Sequence, residues 1–94
     1  MSKVDEAFFK RADDYINVAN EHLAEVSRGK VNAAMMYGLS RFSAWISACE
    51  FENAADMKKS KAEITKYFVD EFEKMLNENL DDYITNFDGY MKPK

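Results

Sequence analysis

Residues 31–49, VNAAMMYGLSRFSAWISAC, constrain the fold of this 94-residue chain more than any other stretch. They carry one charge, Arg41, and small or apolar residues point in nearly every direction around a helix. A helix that is apolar all round has to be covered all round. Too little chain remains outside this stretch to do so easily, because a chain this size builds only a modest core. The segment therefore predicts a central helix in an all-α protein, and it raises the question of what covers it.

The rest of the chain supports long helices. Three Gly and one Pro, the latter at Pro93, leave almost no turn punctuation, which argues for few and long elements. Residues 1–94 are expected to make a single helical domain. A first helix over about 3–27 carries its apolar residues at Val4, Phe8, Ala12, Tyr15, Ile16, Ala19, Leu23 and Val26. Those spacings of three and four draw one stripe. Asp5 and Glu6 suit its first turn, and Gly29 suits a left-handed cap at its end. A second helix over 30–49 follows after a short link, which makes the two antiparallel neighbours. Folding about Gly29 sets Met36 opposite His22, Phe42 opposite Ile16 and Cys49 opposite Phe9.

Asn53, with Asp56 three residues on, marks a third start. From there the pattern continues over 53–87 through Met57, Ile64, Phe68, Phe72, Met75, Leu76, Leu80, Tyr83, Ile84 and Phe87. Lys66 with Asp70, and Asp70 with Lys74, are i,i+4 pairs on its polar side. The tail 91–94 is expected to fray. A continuous third helix would span roughly 52 Å against roughly 30 Å for the second, so its far end overhangs. That overhang is not polar: Leu80, Tyr83, Ile84, Phe87, Tyr90 and Met91 form a stripe of their own. Two solutions follow. The helix breaks near Asn77–Asn79, where Asn79 and Asp82 repeat a capping spacing, to give a short fourth helix. Otherwise it stays straight and docks on a second copy. The all-round apolar second helix favours a homodimer, with Leu80, Tyr83, Ile84, Phe87 and Tyr90 at its interface.

Charge and composition exclude several classes. The net charge is −4 and the pI near 5.0, and the one basic cluster, Lys58, Lys59, Lys61 and Lys66, is interrupted by Glu63. A nucleic-acid partner is therefore not expected. Arg41, Asn32 and three serines inside 31–49 argue against a membrane span. No signal-peptide pattern is seen, and Cys49 is the only cysteine, which fits a reducing cytoplasm.

Arg41 is the best candidate for a role beyond packing. Asn17 lies opposite it in the hairpin register, with Asp13, Asp14 and Glu21 a turn away, and Tyr37 and Trp45 lie four residues to either side. A guanidinium between aromatics and facing carboxylates makes a partly buried ion pair that fixes register. The same group could anchor an anion, so Arg41, Asp13, Tyr37 and Trp45 are the candidate ligand-binding residues. The sole histidine, His22, lacks the Glu-x-x-His spacing of a metal bundle because Ala19 stands three residues before it, and no metal or other cofactor is expected. Cys49 has no base in reach and is expected to be a buried, inert thiol. Asp13-Asp14 and Asp81-Asp82 point about 100° apart along a helix, so neither pair makes a catalytic dyad. Asp81 and Asp82 suit a helix start if one begins at Asn79. Met35, Met36, Met57 and Met75 are core fillers before they are pocket walls. No phosphate loop, nucleophile elbow or metal quartet is present, and the chain is not expected to be an enzyme.

Three stretches together, AFFKRADDYINVANEHL, RGKVNAAMMYGLSRFSAW and KYFVDEFEKMLNENLDDYITNF, resemble a family of small bacterial helical proteins known as a domain of unknown function. The resemblance runs from about Ala7 to Met91. It implies a soluble, mostly helical bacterial protein and carries no activity or site residue with it. The expectation is an antiparallel bundle of three long helices working as a homodimeric interaction or structural module. The alternative is a binder of a small apolar or anionic ligand held between helices near Arg41.

Overall fold

A computed structural model describes residues 5–92, all of whose regular structure is helical. Five helices follow in order: α1 (Phe8–His22), α2 (Arg28–Ala48), α3 (Ala54–Lys59), α4 (Lys61–Thr85) and α5 (Phe87–Met91). Three are long, as the hydrophobic periodicity predicts. Lys3, Val4 and the end of the tail at Pro93 and Lys94 lie outside the described residues. The tail stays ordered further than expected, since Met91 closes α5. The chain divides into two compact units, Met1–Ala44 and Trp45–Lys94, with the division inside α2.

In the first unit, α1 begins later than its acidic residues suggest. Asp5 precedes the helix. Its Oδ1 accepts the Ala7 N–H at 2.9 Å, and its carboxylate takes Arg11 Nη2 at 3.3 Å. The side chain thus ties the entering strand of backbone to the first turn, as Asx residues do. The helix ends at His22, whose carbonyl accepts the N–H groups of Glu25 at 3.0 Å and Val26 at 3.1 Å. Gly29 is not the cap. No glycine among the described residues has positive φ, and Gly29 sits in the first turn of α2. Ser27 starts that helix instead, its Oγ accepting the Lys30 N–H at 3.3 Å, the ordinary N-cap bond of a serine. On the stripe read from spacing, Phe8, Ala12 and Ala19 are half-buried while Tyr15, Ile16, Leu23 and Val26 are exposed; Val31 on α2 is buried at 8% exposure. Val31 is the only buried hydrophobic among the described residues.

The antiparallel pairing of α1 with α2 is not closed by side chains within this chain. Ile16 and Phe42, set opposite each other by the hairpin register, are 49% and 60% exposed. Five residues, Leu23 to Ser27, link the two helices, where the sequence suggests a turn about Gly29.

In the second unit, Asn53 starts α3 as its spacing predicts. Its Oδ1 accepts the Asp56 N–H at 2.9 Å, while its Nδ2 donates to Asp56 Oδ2 at 3.2 Å. A one-residue jog at Ser60, with φ −96° and ψ 2°, separates α3 from α4. Phe51, Met57, Ile64 and Phe68 are half-buried around this joint. α4 then runs unbroken through Asn77 and Asn79, so of the two solutions the straight helix holds there. Asn79 is accommodated because its Nδ2 donates to the Met75 carbonyl at 2.8 Å, one turn back, which satisfies the amide inside the helix. The break falls at Asn86, with φ −112° and ψ 27°.

Candidate functional site

The residues around Arg41 are not gathered into a pocket. Arg41 is exposed on α2, and the partly buried ion pair expected of it is not formed. Asp13 is exposed on α1, and Asp14 turns instead to Lys10 at 3.5 Å on its own helix. No carboxylate is ion-paired with Arg41 among the described residues. Tyr37 is 68% exposed, and its carbonyl accepts the Ser40 hydroxyl at 2.9 Å. Trp45 is 60% exposed further along α2. Cys49 is exposed, which corrects the expectation of a buried thiol: that burial depended on Phe8 and Phe9 closing over it, and Phe9 is itself 66% exposed. His22 ends α1, and no three His, Cys, Asp or Glu side chains among the described residues converge as metal ligands would.

A better-built polar cluster lies at the far end of α4, where Asp81 and Asp82 do not start a helix but sit in its last turns. Asp82 Oδ1 accepts from Asn86 Nδ2 at 2.8 Å, and its Oδ2 accepts the Tyr90 hydroxyl at 2.9 Å. Asn86 Nδ2 also reaches the Asp82 carbonyl at 3.2 Å. A carboxylate near a helix C-terminus faces the negative end of the dipole. The two donors offset that cost by binding the charge directly. The hydrogen bond to Asp82, and then the attraction of its charge, hold the Tyr90 hydroxyl above its ordinary value of 10.0. The Tyr83 and Tyr90 rings lie 4.7 Å apart, tilted by 39°. Three bonds and a ring contact thus fix the turn from α4 into α5. Its sequence signal is the i, i+4, i+8 spacing of Asp82, Asn86 and Tyr90. That signal is masked because the aromatic stripe dominates the same residues.

Around this elbow the apolar residues face outward. Leu80, Tyr83, Phe87 and Tyr90 are each about half exposed, and Ile84 is 72% exposed. Ile84, Phe87 and the intervening residues border a shallow open hollow. Along α4 the charged side chains pair locally: Lys66 with Asp70 at 2.8 Å and Lys74 with Glu71 at 3.2 Å. The Asp70 carboxylate, by hydrogen bond and charge, raises the Lys66 ammonium above its usual range. The ion pairs are thus local and solvated while the apolar side chains lack cover. No described helix is long and apolar enough to cross a membrane.

These features define a small all-helical protein whose apolar stripes face outward among the described residues. The chain belongs to the DUF3144 family, proteins of unknown function, whose pattern it matches over residues 8–84. That span covers α1 through nearly all of α4, in agreement with the resemblance read from the same stretches. No curated protein matches the chain. Among solved structures it is similar to the NMR structure of protein NB7890A from Shewanella sp, at 35% identity and a TM-score of 0.80, over 97% of each chain.

Proposed function

We propose that the protein is a non-catalytic helical interaction module that works as a homodimer in the bacterial cytoplasm. The observation that carries this reading is the exposure of side chains that water disfavours. In α2, Leu39, Phe42 and Trp45 are 53%, 60% and 60% exposed; near the end of α4, Ile84 is 72% exposed. Exposed apolar surface on this scale is the usual signature of a surface that meets another protein. The absence of catalysis is supported by where the ionisable groups go: their pairs run along single helices, in water, and do not face a common cleft. The bacterial assignment leans on the Shewanella relative. The cytoplasmic one leans on the free thiol of Cys49.

Sedimentation equilibrium on the full chain tests the assembly. A mass of twice the 10.9 kDa chain at micromolar concentration supports the homodimer. A single-chain mass at millimolar concentration overturns it. Arg41 sustains the second reading, because its guanidinium has no ion-pair partner among the described residues. Native mass spectrometry of protein isolated from its own cells separates the two: a retained anion or apolar small molecule, lost on Arg41→Ala, favours the ligand binder.

A further inference from the structure

Charge is sorted by sign along α3 (Ala54–Lys59) and α4 (Lys61–Thr85). Residues 58–66 carry Lys58, Lys59, Lys61 and Lys66 against Glu63 alone, and residues 70–82 carry six acids against Lys74 alone. Within α4 this order works against the helix dipole, which favours anions at the start of a helix and cations at its end. Local pairing absorbs only part of it: Lys66 takes Asp70, and Lys74 takes Glu71. Lys58, Lys59 and Lys61 at one end, and Glu73 and Glu78 towards the other, have no ion-pair partner among the described residues.

The same helix carries an apolar face. Ile64, Phe68, Phe72, Met75, Leu76 and Tyr83 fall within an arc of about 120° on α4. Within its own unit, α4 is met chiefly by α3 and α5, which adjoin its two ends. Phe72 and Leu76, between those ends, are each 43% exposed. The charges say what complements this face. A helix with lysines at one end and acids at the other is matched by the same helix reversed. The first unit does not offer that match, because its charges mix both signs. Glu21 and Glu25 precede Arg28 and Lys30, and Lys10 and Arg11 are held by Asp14 and Asp5.

We infer that the α4 helices of two copies pack antiparallel through this face, with the two-fold axis level with Asp70. This rests on the homodimer proposed above and adds to it the surfaces that meet. In that register, position 70+k of one copy faces position 70−k of the other. Phe68 meets the partner's Phe72, and Ile64 meets the partner's Leu76. Lys66 stands beside the partner's Glu73, and Lys61 beside the partner's Glu78. The two-fold symmetry repeats each pair. A parallel pairing would instead set lysines against lysines at one end and acids against acids at the other.

Charge reversal in the full chain tests the pairing, read by sedimentation at low salt. One variant carries Lys61→Glu and Lys66→Glu, the other Glu73→Lys and Glu78→Lys. Each alone sets like charges against one another and is expected to raise the dissociation constant about 10-fold or more. Mixed in equal amounts, the two restore opposite charges at every pair and should associate within about threefold of the native chain. Cover of α4 by the chain's own first unit cannot produce such rescue between two chains. A second measurement holds even if the charge variants fail to fold. Val69 lies one residue from the axis, at the edge of the face, and Lys74 on the far side of α4. In a Cys49→Ser background, Val69→Cys should form an interchain disulfide under mild oxidation faster than Lys74→Cys. A native chain that is dimeric overturns the α4 pairing, and leaves the homodimer standing, under any of three results: no weakening in the folded charge variants, no rescue on mixing, or no faster cross-linking at Val69→Cys. A native chain that remains single overturns both.

Discussion

α2 and α4 are both long helices with exposed hydrophobics, yet they differ in how their polar residues are placed. α4 keeps its charges on one side and pairs them along its length, Lys66 with Asp70 and Lys74 with Glu71. Its apolar residues Ile64, Phe68, Phe72, Met75, Leu76 and Tyr83 lie on the other side. One neighbouring surface suffices for such a helix. α2 has only Arg41 beyond its first turn and shows apolar residues on every side. It requires cover from more than one direction. Local ion pairing can make an amphipathic helix soluble on one face, but it can do nothing for a helix without a polar face.

Equal exposure in the single chain should therefore have unequal consequences, and this gives the largest expected effect. Phe42 on α2 and Tyr67 on α4 are 60% and 59% exposed. Tyr67 lies on the charged side of α4, one turn before Glu71 and two before Lys74. Tyr67→Glu is expected to change stability by no more than about 0.5 kcal/mol, as for an ordinary surface site. Phe42→Glu is expected to cost more than about 3 kcal/mol and to dissociate the proposed dimer, where it would bury an unpaired charge in place of a ring. Urea unfolding at fixed protein concentration measures both. Similar small losses at the two sites would break the contrast.

The next effect concerns the end of α4. Tyr83→Asp combined with Phe87→Asp removes two half-exposed rings from the stripe that continues past the match to the family. Gel filtration with light scattering is expected to show monomers with most of their helix retained, and a dissociation constant raised about 30-fold or more. Tyr83→Phe keeps the ring against Tyr90 and should leave the mass unchanged. Should the double variant remain dimeric with its fold intact, the α4 stripe is not at the proposed interface.

A smaller effect tests a purely local element. Asn53→Ala removes the acceptor of the Asp56 N–H and is expected to lower stability by about 1 kcal/mol. The loss should be independent of protein concentration beyond that of the native chain, since no interchain contact is touched. An Asn53→Asp variant retains the acceptor and should recover most of it.

The elements legible in the sequence were those set by local chemistry. The stripe through Phe8, Ala12 and Ala19, the start at Asn53 and the long third pattern all follow from spacing and capping within a turn or two. Ser27 was hidden by Gly29: a glycine after an apolar run signals a helix end, but the serine two residues earlier had the side chain that caps the next helix. Asn79 looked like a breaker because its preference for leaving a helix is real. A carbonyl one turn back satisfied it instead, and propensity cannot report that. The Arg41 constellation failed to assemble for a different reason. Its carboxylates lie on another helix, so its geometry depended on a register between helices, which spacing along one helix cannot set. Asp14 had a lysine four residues away, and local partners are reached before distant ones.

The smallest effect lies in the α4–α5 elbow, where the comparison is between a tyrosine that is held and the others that are not. Tyr90 donates its hydroxyl to Asp82, and that bond raises its ionisation above 10.0. A raised value in the folded state means the folded chain holds this proton more tightly than the unfolded chain does. The corresponding stability is fully present below pH 10.0, where both states are protonated, and is lost as pH rises through the folded value. Titration followed by phenolate absorbance should show Tyr90 ionising above 10.0. In Asp82→Asn the strong charged acceptor is gone, and the Tyr90 step should move down. The elbow should then loosen, because an amide offers one acceptor oxygen where the carboxylate serves both Asn86 and Tyr90. If Tyr90 titrates identically in the native chain and in Asp82→Asn, the hydroxyl does not rest on that carboxylate in solution. The turn would then be held by the Tyr83 and Tyr90 rings alone.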